Sequence, residues 1–381
     1  MTGADKTVGM GDLFRVFLRI GVLSFGGPAG QIALMHREIV EQRHWLSEED
    51  YLNALSFCML LPGPEAMQLA TYSGWRLQGV RGGLVAGLLF VIPGAILILA
   101  LAMLYAAFGA VGWVDALFVG VKAAVVVIVI EALLKISKRA LKRQDHWAIA
   151  ALGFVAIFFL DLPFPVLVVL AALYGFVTAE PSAIDAARPV PVRFATTLKT
   201  VALWLVIWWL PLAVLALVAP HSVLVSIGLF FAKLAVVTFG GAYAVLAYMA
   251  QQVVGVHHWL DAGQMIDGLG LAETTPGPLI LVTEFVGYLA GFGQGGIRLG
   301  VAGAVVTLWM TFAPCFLWIF AGAPYISRLS SQPRLRNALA AVTAAVVGVI
   351  LNLTFWFALH VLFGQVDRVQ VGLLVLWQPV L

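Results

Sequence analysis

The chain has 381 residues, of which 62% are hydrophobic and only 11% charged, and its formal net charge is +3. A soluble domain carries about 25% charged residues, so a water-soluble globule is excluded and lipid is the expected solvent. Two cysteines, Cys58 and Cys315, lie within apolar runs and exclude both a disulfide scaffold and a cysteine-based metal site.

The first residues mix both charge signs at Asp5, Lys6, Asp12, Arg15 and Arg19. They lack the charged, apolar and cleavage order of a secretory signal, so the first helix is expected to act as its own targeting signal. Apolar runs follow at 83–108, 114–134, 145–179, 200–219 and 338–363. About 20 apolar residues span a bilayer as a helix, and helix is the default because lipid leaves no water to satisfy the backbone. A basic cluster, Lys135, Lys138, Arg139, Lys142 and Arg143, precedes a predicted hairpin over 145–160 and 164–179 that turns at Asp161–Pro165. A linker at 180–199 carries Arg188, Arg193 and Lys199 and leads to one further span at 200–219.

The second half then repeats the first. Ser24-Phe25-Gly26-Gly27 returns as Thr238-Phe239-Gly240-Gly241, His44-Trp45-Leu46 as His258-Trp259-Leu260, and Pro62-Gly63-Pro64 as Pro276-Gly277-Pro278. The offset is 214 each time (238 − 24, 258 − 44, 276 − 62), and Arg19 falls on Lys233. Farther on the offset becomes 221, pairing Pro93 with Pro314 and 121–126 with 342–347, with the extra residues placed near Gly291–Gly296. The expected domains are a first transmembrane repeat at 14–135, then a basic loop, hairpin, linker and connecting helix at 136–223. A second repeat at 228–363 and an apolar tail at 364–381 complete the chain.

Cytoplasmic loops collect Lys and Arg, which places the 135–143 cluster inside. The loop near 107–115 carries no Lys or Arg, whereas its counterpart near 324–337 holds Arg328, Arg334 and Arg336. The two copies are therefore expected to have opposite orientation, an architecture common among secondary transporters. The fold class is an all-α integral membrane protein of roughly 10–12 spans in two inverted-topology repeats with Pro-Gly-broken helices; the first segments of each copy are candidates for re-entrant ones.

Two prolines around a glycine break a helix, and Pro64 and Pro278 are well placed to open new half-helices. The N–H groups behind them point into the break and form a natural anion site; the plainer alternative is a pair of kinks. Gly26, Gly27, Gly240 and Gly241 allow close backbone approach or an N–H nest, with helix packing as the alternative. Arg19, Lys122 and Lys233 are candidate cations for an anion path, against simple snorkelling from helix ends for Arg19 and Lys233. Gln68 and Thr283 can hydrogen-bond an oxyanion. Glu65, directly behind Pro64, either caps its helix or couples protons to the anion, and Glu273 flanks the second break as a second coupling candidate. The His44 and His258 motifs read as interfacial anchors rather than metal ligands. No cofactor and no metal are expected, and no Gly-rich nucleotide loop is present.

Phe25-Gly26-Gly27-Pro28, His44-Trp45-Leu46, the run Leu61–Tyr72, Thr238–Tyr243, Gln264–Gly268 and Leu271–Pro278 together resemble the chromate ion transporter family in its long two-domain form. The resemblance covers both copies, with Glu65 standing where shorter relatives carry a small residue. It implies a bacterial or archaeal inner-membrane, multi-pass protein that exports chromate, a tetrahedral dianion, with sulfate as an isosteric competitor. The expected function is secondary active export of chromate by alternating access, coupled to the proton motive force or to anion exchange, without enzymatic activity. A transporter or channel for another anion such as sulfate is the alternative, and a membrane-embedded enzyme using Glu65, Glu273 or His360 is the alternative of another class. The expected partners are a chromate- or sulfate-like oxyanion and the lipid bilayer, with no nucleic acid; a homodimer is left open.

Overall fold

A computed structural model describes all residues except 1–7, 26, 110, 180–193, 240–241, 327–331, 364, 372–373 and 381. The described chain is helical up to its last segment. The helices are α1 Met10–Leu23, α2 Gly27–His36, α3 Glu48–Cys58, α4 Glu65–Phe108, α5 Gly112–Ala140, α6 Gln144–Phe158, α7 Phe164–Val177, α8 Phe194–Val218, α9 Val223–Val237, α10 Ala242–Ala250, α11 Ala262–Thr274, α12 Val282–Gly322 and α13 Pro333–Leu362. Two strands, β1 Gln365–Val371 and β2 Leu374–Val380, close the chain as an antiparallel hairpin, so the apolar tail has a regular structure of its own. Four stretches are long and apolar enough to cross a membrane: α4, Ala195–Val218, Leu279–Tyr325 and α13; four shorter apolar helices accompany them. The chain is a multi-pass membrane protein.

Length alone shows that α4 is not one span. Its 44 residues would extend about 66 Å, twice the roughly 30 Å of a bilayer core. The chain instead folds at Gln78 (φ −138°, ψ 25°) and Gly79 (φ 60°, ψ −154°). The 41 residues of α12 fold in the same way at Gly295 (φ −161°, ψ 26°) and Gly296 (φ 69°, ψ −160°). The limbs of each hairpin touch backbone to backbone. A Cβ at Gly74 would overlap the Gly82 carbonyl, one at Gly291 the Leu299 carbonyl, and one at Gly303 the Gly287 carbonyl. Small residues make such close helix contacts available in lipid.

The same backbone events occur twice. π-Helical turns at Arg37–Glu41 and Gln251–Val256 end α2 and α10. His44 and His258 then take φ of 53° and 51°, and Trp45 N–H and Trp259 N–H donate to the Ile39 and Val253 carbonyls at 2.8 and 2.9 Å. Leu46 and Leu260 are both buried behind the turn. The His-Trp-Leu motif thus forms a turn with its histidine at positive φ, since His is among the few non-glycine residues that enter the left-handed region readily. His44→Val should lower unfolding free energy by about 1–2 kcal/mol, while His44→Asn stays near wild type. Thermal unfolding in detergent checks this; an unaffected valine variant would mean the turn is not strained.

Up to Gly63 and Gly277 the copies keep the 214 spacing, but the kink glycines Gly79 and Gly296 stand 217 apart (296 − 79). The three extra residues form the 3-10 turn Leu279–Leu281 directly behind Pro278, not an insertion near Gly291–Gly296. Farther along, a Cβ at Gly63 would meet Cys315 as one at Gly277 would meet Gly94, equivalent contacts 221 apart (315 − 94), which agrees with the match of Pro93 to Pro314. The same spacing separates the starts of α5 and α13 (333 − 112).

The residues group into two compact units. The first comprises Met1–Leu101, Arg188–Ala235 and Ala272–Ser330. Its centre is the α12 stretch, whose apolar window is 67% buried, whereas α8 at 11% presents most of its surface to lipid. Tryptophans of α8 and α12 join the two helices. Trp208 Nε1 donates to the Met310 carbonyl at 3.1 Å, Trp309 Nε1 to the Ile207 carbonyl at 3.2 Å, and Trp204 stacks on Phe316 at 5.5 Å. The opposite side of α8 exposes Leu203, Leu210 and Leu217.

The second unit comprises Ala102–Ala187, Val236–Leu271 and Ser331–Leu381. Here α13 is central, 72% buried in its apolar window, and packs against α5, α6, α7 and α10. Asn337 Nδ2 donates to the Gly175 carbonyl at 2.6 Å, and Phe164 stacks on Tyr248 at 5.6 Å. α6 and α7 occupy the two segments expected for a hairpin, with Asp161 (φ 51°) in the turn.

Candidate functional site

Both helix breaks lie in the first unit and are built alike. α3 ends at Cys58, and the chain passes through Pro62-Gly63-Pro64 into α4. Gly63 has φ of 109° and Gly277 has φ of 107°, which side chains other than glycine rarely adopt. A Cβ at Gly63 would sit 3.0 Å from Gln68 Nε2 and 3.2 Å from Cys315 Sγ; one at Gly277 would sit 2.8 Å from Leu281 Cδ1 and 3.2 Å from Gly94 Cα. Each break therefore lies against the returning limb of the other copy: Pro62-Gly63-Pro64 against α12 at Cys315, and Pro276-Gly277 against α4 at Gly94.

Glutamines secure both breaks. Gln68 Nε2 donates to the Pro62 carbonyl, and Gln31 Nε2 to the Gly277 carbonyl, each at 2.6 Å. Both side chains are buried, and Oε1 of each has no hydrogen-bond partner among the described residues. Gly277 N–H donates to the Ser24 carbonyl at 2.9 Å, tying the second break to the end of α1. Gln68 N–H donates to the Pro64 carbonyl at 3.1 Å, so α4 begins there, and the amides of Glu65, Ala66 and Met67 have no acceptor within the helix. Such a first turn carries about half a positive charge. Glu65 is partly buried at the first helical position, where its carboxylate meets that charge.

The other expected site residues are distributed more widely. Thr283 is buried, and its hydroxyl donates to the Ile280 carbonyl at 2.7 Å, which fastens the 3-10 turn. Gly27 (φ 71°) opens α2 with free space around it. Gly26, Gly240 and Gly241 lie outside the described residues. Arg19 Nε stands 3.7 Å from Glu38 Oε1, and Glu38 is also held by Arg43 at 2.5 Å; Arg19 is thus half of an ion pair. Lys233 is exposed on α9, and Glu273 is partly buried in the last turn of α11. Lys122 belongs to the second unit, where its Nζ lies 3.6 Å from Asp267 Oδ2. Tyr105 OH donates to that same oxygen at 2.8 Å.

Gln31, Tyr105 and Asp267 were not recognisable from sequence as site residues. Each is a single polar group in its helix, and only its hydrogen-bond partner, 162 or more positions away in these two contacts, gives it meaning. Glu284 flanks the second break in sequence but carried no assigned role.

The sequence profile of the chromate transporter family matches the chain in two parts, residues 11–176 and 225–378. The chain belongs to the chromate transporter family. A chromate transport protein of Cupriavidus metallidurans is 32% identical over 345 residues, 89% of this chain and 80% of that protein. A chromate transport protein of Pseudomonas aeruginosa is 35% identical over 350 residues, covering 89% and 78%. An uncharacterised transporter of Methanocaldococcus jannaschii is 26% identical over 353 residues, covering 92% and 85%. No solved structure matches the chain. Within this chromate transporter family chain, both breaks and the glycines that form them fall inside the matched segments.

Proposed function

We propose that the chain is a secondary transporter that exports a divalent tetrahedral oxyanion, chromate foremost, and binds it at the amide ends behind the two breaks. The observation that carries this reading is the pair of matched glycine turns, the first of which opens on a helix whose first amides have no acceptor within it. Helix N-termini at broken segments hold anionic groups in transporters. The names of the relatives support chromate as the first substrate to test, and inverted repeats support alternating access by one copy moving against the other. Gln68 and Gln31 hold the break carbonyls away from the anion, and Lys233, exposed on α9 in the same unit as the breaks, adds positive charge that raises its local concentration. A carboxylate at Glu65 repels a dianion, so anion arrival there is linked to protonation of Glu65 or of the anion; Glu273 stands before the second break, at the position Met59 holds before the first.

Radiolabelled chromate and sulfate flux into proteoliposomes tests this. Wild type should carry chromate, with sulfate competing, and Glu65→Gln should remove the pH dependence of the chromate KM measured without a gradient. If neither anion crosses under any gradient with correctly oriented protein, the oxyanion reading fails.

A further inference from the structure

Several serine and threonine hydroxyls at or within the helices donate to the carbonyl one turn back. Ser24 does so to Ile20 at 2.6 Å, Thr71 to Met67 at 2.9 Å, Ser73 to Leu69 at 2.8 Å and Thr354 to Ile350 at 2.9 Å. Thr307 and Thr311, on the returning limb of α12, do not. Among the described residues their hydroxyls have no partner, although the residues are only 0% and 4% exposed. On the first limb, Glu284 is 1% exposed and its Oε2 also has no partner among the described residues. A Cβ placed on Gly287 would run into the Thr307 hydroxyl, so that hydroxyl reaches the first limb one turn from Glu284. Three buried oxygen groups without partners thus share one hairpin.

The first copy carries the same hairpin without a buried carboxyl there. At the 217 spacing Glu284 corresponds to Met67, and the returning limb of α4, residues 80–108, holds no serine or threonine; Gln68, beside Met67, keeps a buried Oε1 without a partner among the described residues. The scaffold therefore needs no polar group at these positions, and packing does not account for a carboxyl there. An ionised carboxylate buried without a partner is costly enough that such groups neutralise instead. Hydroxyls left free to rotate suit a group that changes state: each can accept from a carboxylic acid or donate to a carboxylate.

We propose that Glu284, with Thr307 and Thr311, is a proton-exchange site within the α12 hairpin, distinct from the oxyanion-binding breaks. It takes up a proton as the neutral acid and releases it to the opposite side as the transporter changes conformation. The assignment of this proton to anion export rests on the oxyanion reading; the existence of the site does not.

The test uses the full chain in proteoliposomes and two readouts. Dicyclohexylcarbodiimide reacts with protonated carboxyls in apolar surroundings, and mass spectrometry locates the adduct. Labelling at Glu284 should occur, decline along a one-proton curve as pH rises, and be unchanged by sodium or potassium. Glu284→Gln should lose the stimulation of chromate flux by a pH gradient while keeping the wild-type chromate KM and exchange at zero gradient. Absence of labelling at every pH, or protection by sodium alone, overturns the proposal, the latter in favour of a cation site. Gradient stimulation that survives in Glu284→Gln overturns the coupling role. Labelling of wild type does not depend on a folded variant. If it appears as expected while no oxyanion moves, the proton site stands and the oxyanion reading falls by itself.

Discussion

Gly94→Ala is expected to destabilise the protein and nearly abolish transport, although Gly94 sits inside a helix. Intrinsic propensity points the other way, since alanine improves a helix interior by about 1 kcal/mol over glycine. The obstacle is tertiary. A Cβ at position 94 would overlap the Pro276 carbonyl and meet Leu281 Cδ1 at 2.7 Å and Gly277 Cα at 3.1 Å. A carbonyl in a broken segment cannot rotate away as a side chain would, so the backbone of the second break must move. Overpacking of this kind costs about 1–3 kcal/mol, which outweighs the helical gain. Gly277→Ala adds backbone strain of about 1–3 kcal/mol at φ 107°. Both variants should melt earlier in detergent and lose oxyanion flux by about tenfold or more, 1.4 kcal/mol being a factor of ten. If Gly94→Ala melts at or above wild type with normal flux, the break does not rest on this limb and is not the binding element.

The second large effect is expected at Asp267, which is 3% exposed, while the Lys122 side chain is 22% exposed. Breaking a buried pair by removing one partner costs about 3–5 kcal/mol, less where the survivor reaches solvent. Asp267→Asn leaves Lys122 without its counter-charge, and Lys122→Met leaves a carboxylate with only the Tyr105 hydroxyl beside it. Each single variant should lose about 2–4 kcal/mol and the double variant less than the sum, a coupling that a double-mutant cycle measures. Transport separates two roles for Lys122. If Lys122 binds the anion, both Lys122→Met and the double variant lose flux. If it serves Asp267 alone, the double variant transports. An additive cycle would mean the pair contributes nothing to stability.

Much of the membrane architecture was legible in the sequence because lipid imposes a simple rule: apolar runs long enough to span must be helical. The repeat was legible for a related reason. Gly63, Gly277 and the two His-Trp-Leu motifs mark positions where the backbone leaves the helical region, and few residue types fit there. The register after the breaks was not legible. Directly behind Pro278 the chain is an apolar run, Leu279–Val282, so the insertion at Leu279–Leu281 and the folds at Gly79 and Gly296 became visible only in the tertiary structure. Charges were the least legible of all. Arg19 and Lys122 looked like free cations for an anion path; the structure gives each a carboxylate, Glu38 and Asp267, that sequence distance had hidden.

By itself, then, the sequence determined the solvent, the helical class, the two copies and the places where helices must break, because each follows from local residue chemistry. Only the tertiary structure decided that each break rests on the other copy's returning limb, that glutamines hold the break carbonyls, and that Glu284 shares a hairpin with two unpartnered threonines. Those facts depend on contacts between residues far apart in the chain. In a long apolar helix many pairings satisfy the same hydrophobic requirement, and close packing of glycine against backbone selects one of them.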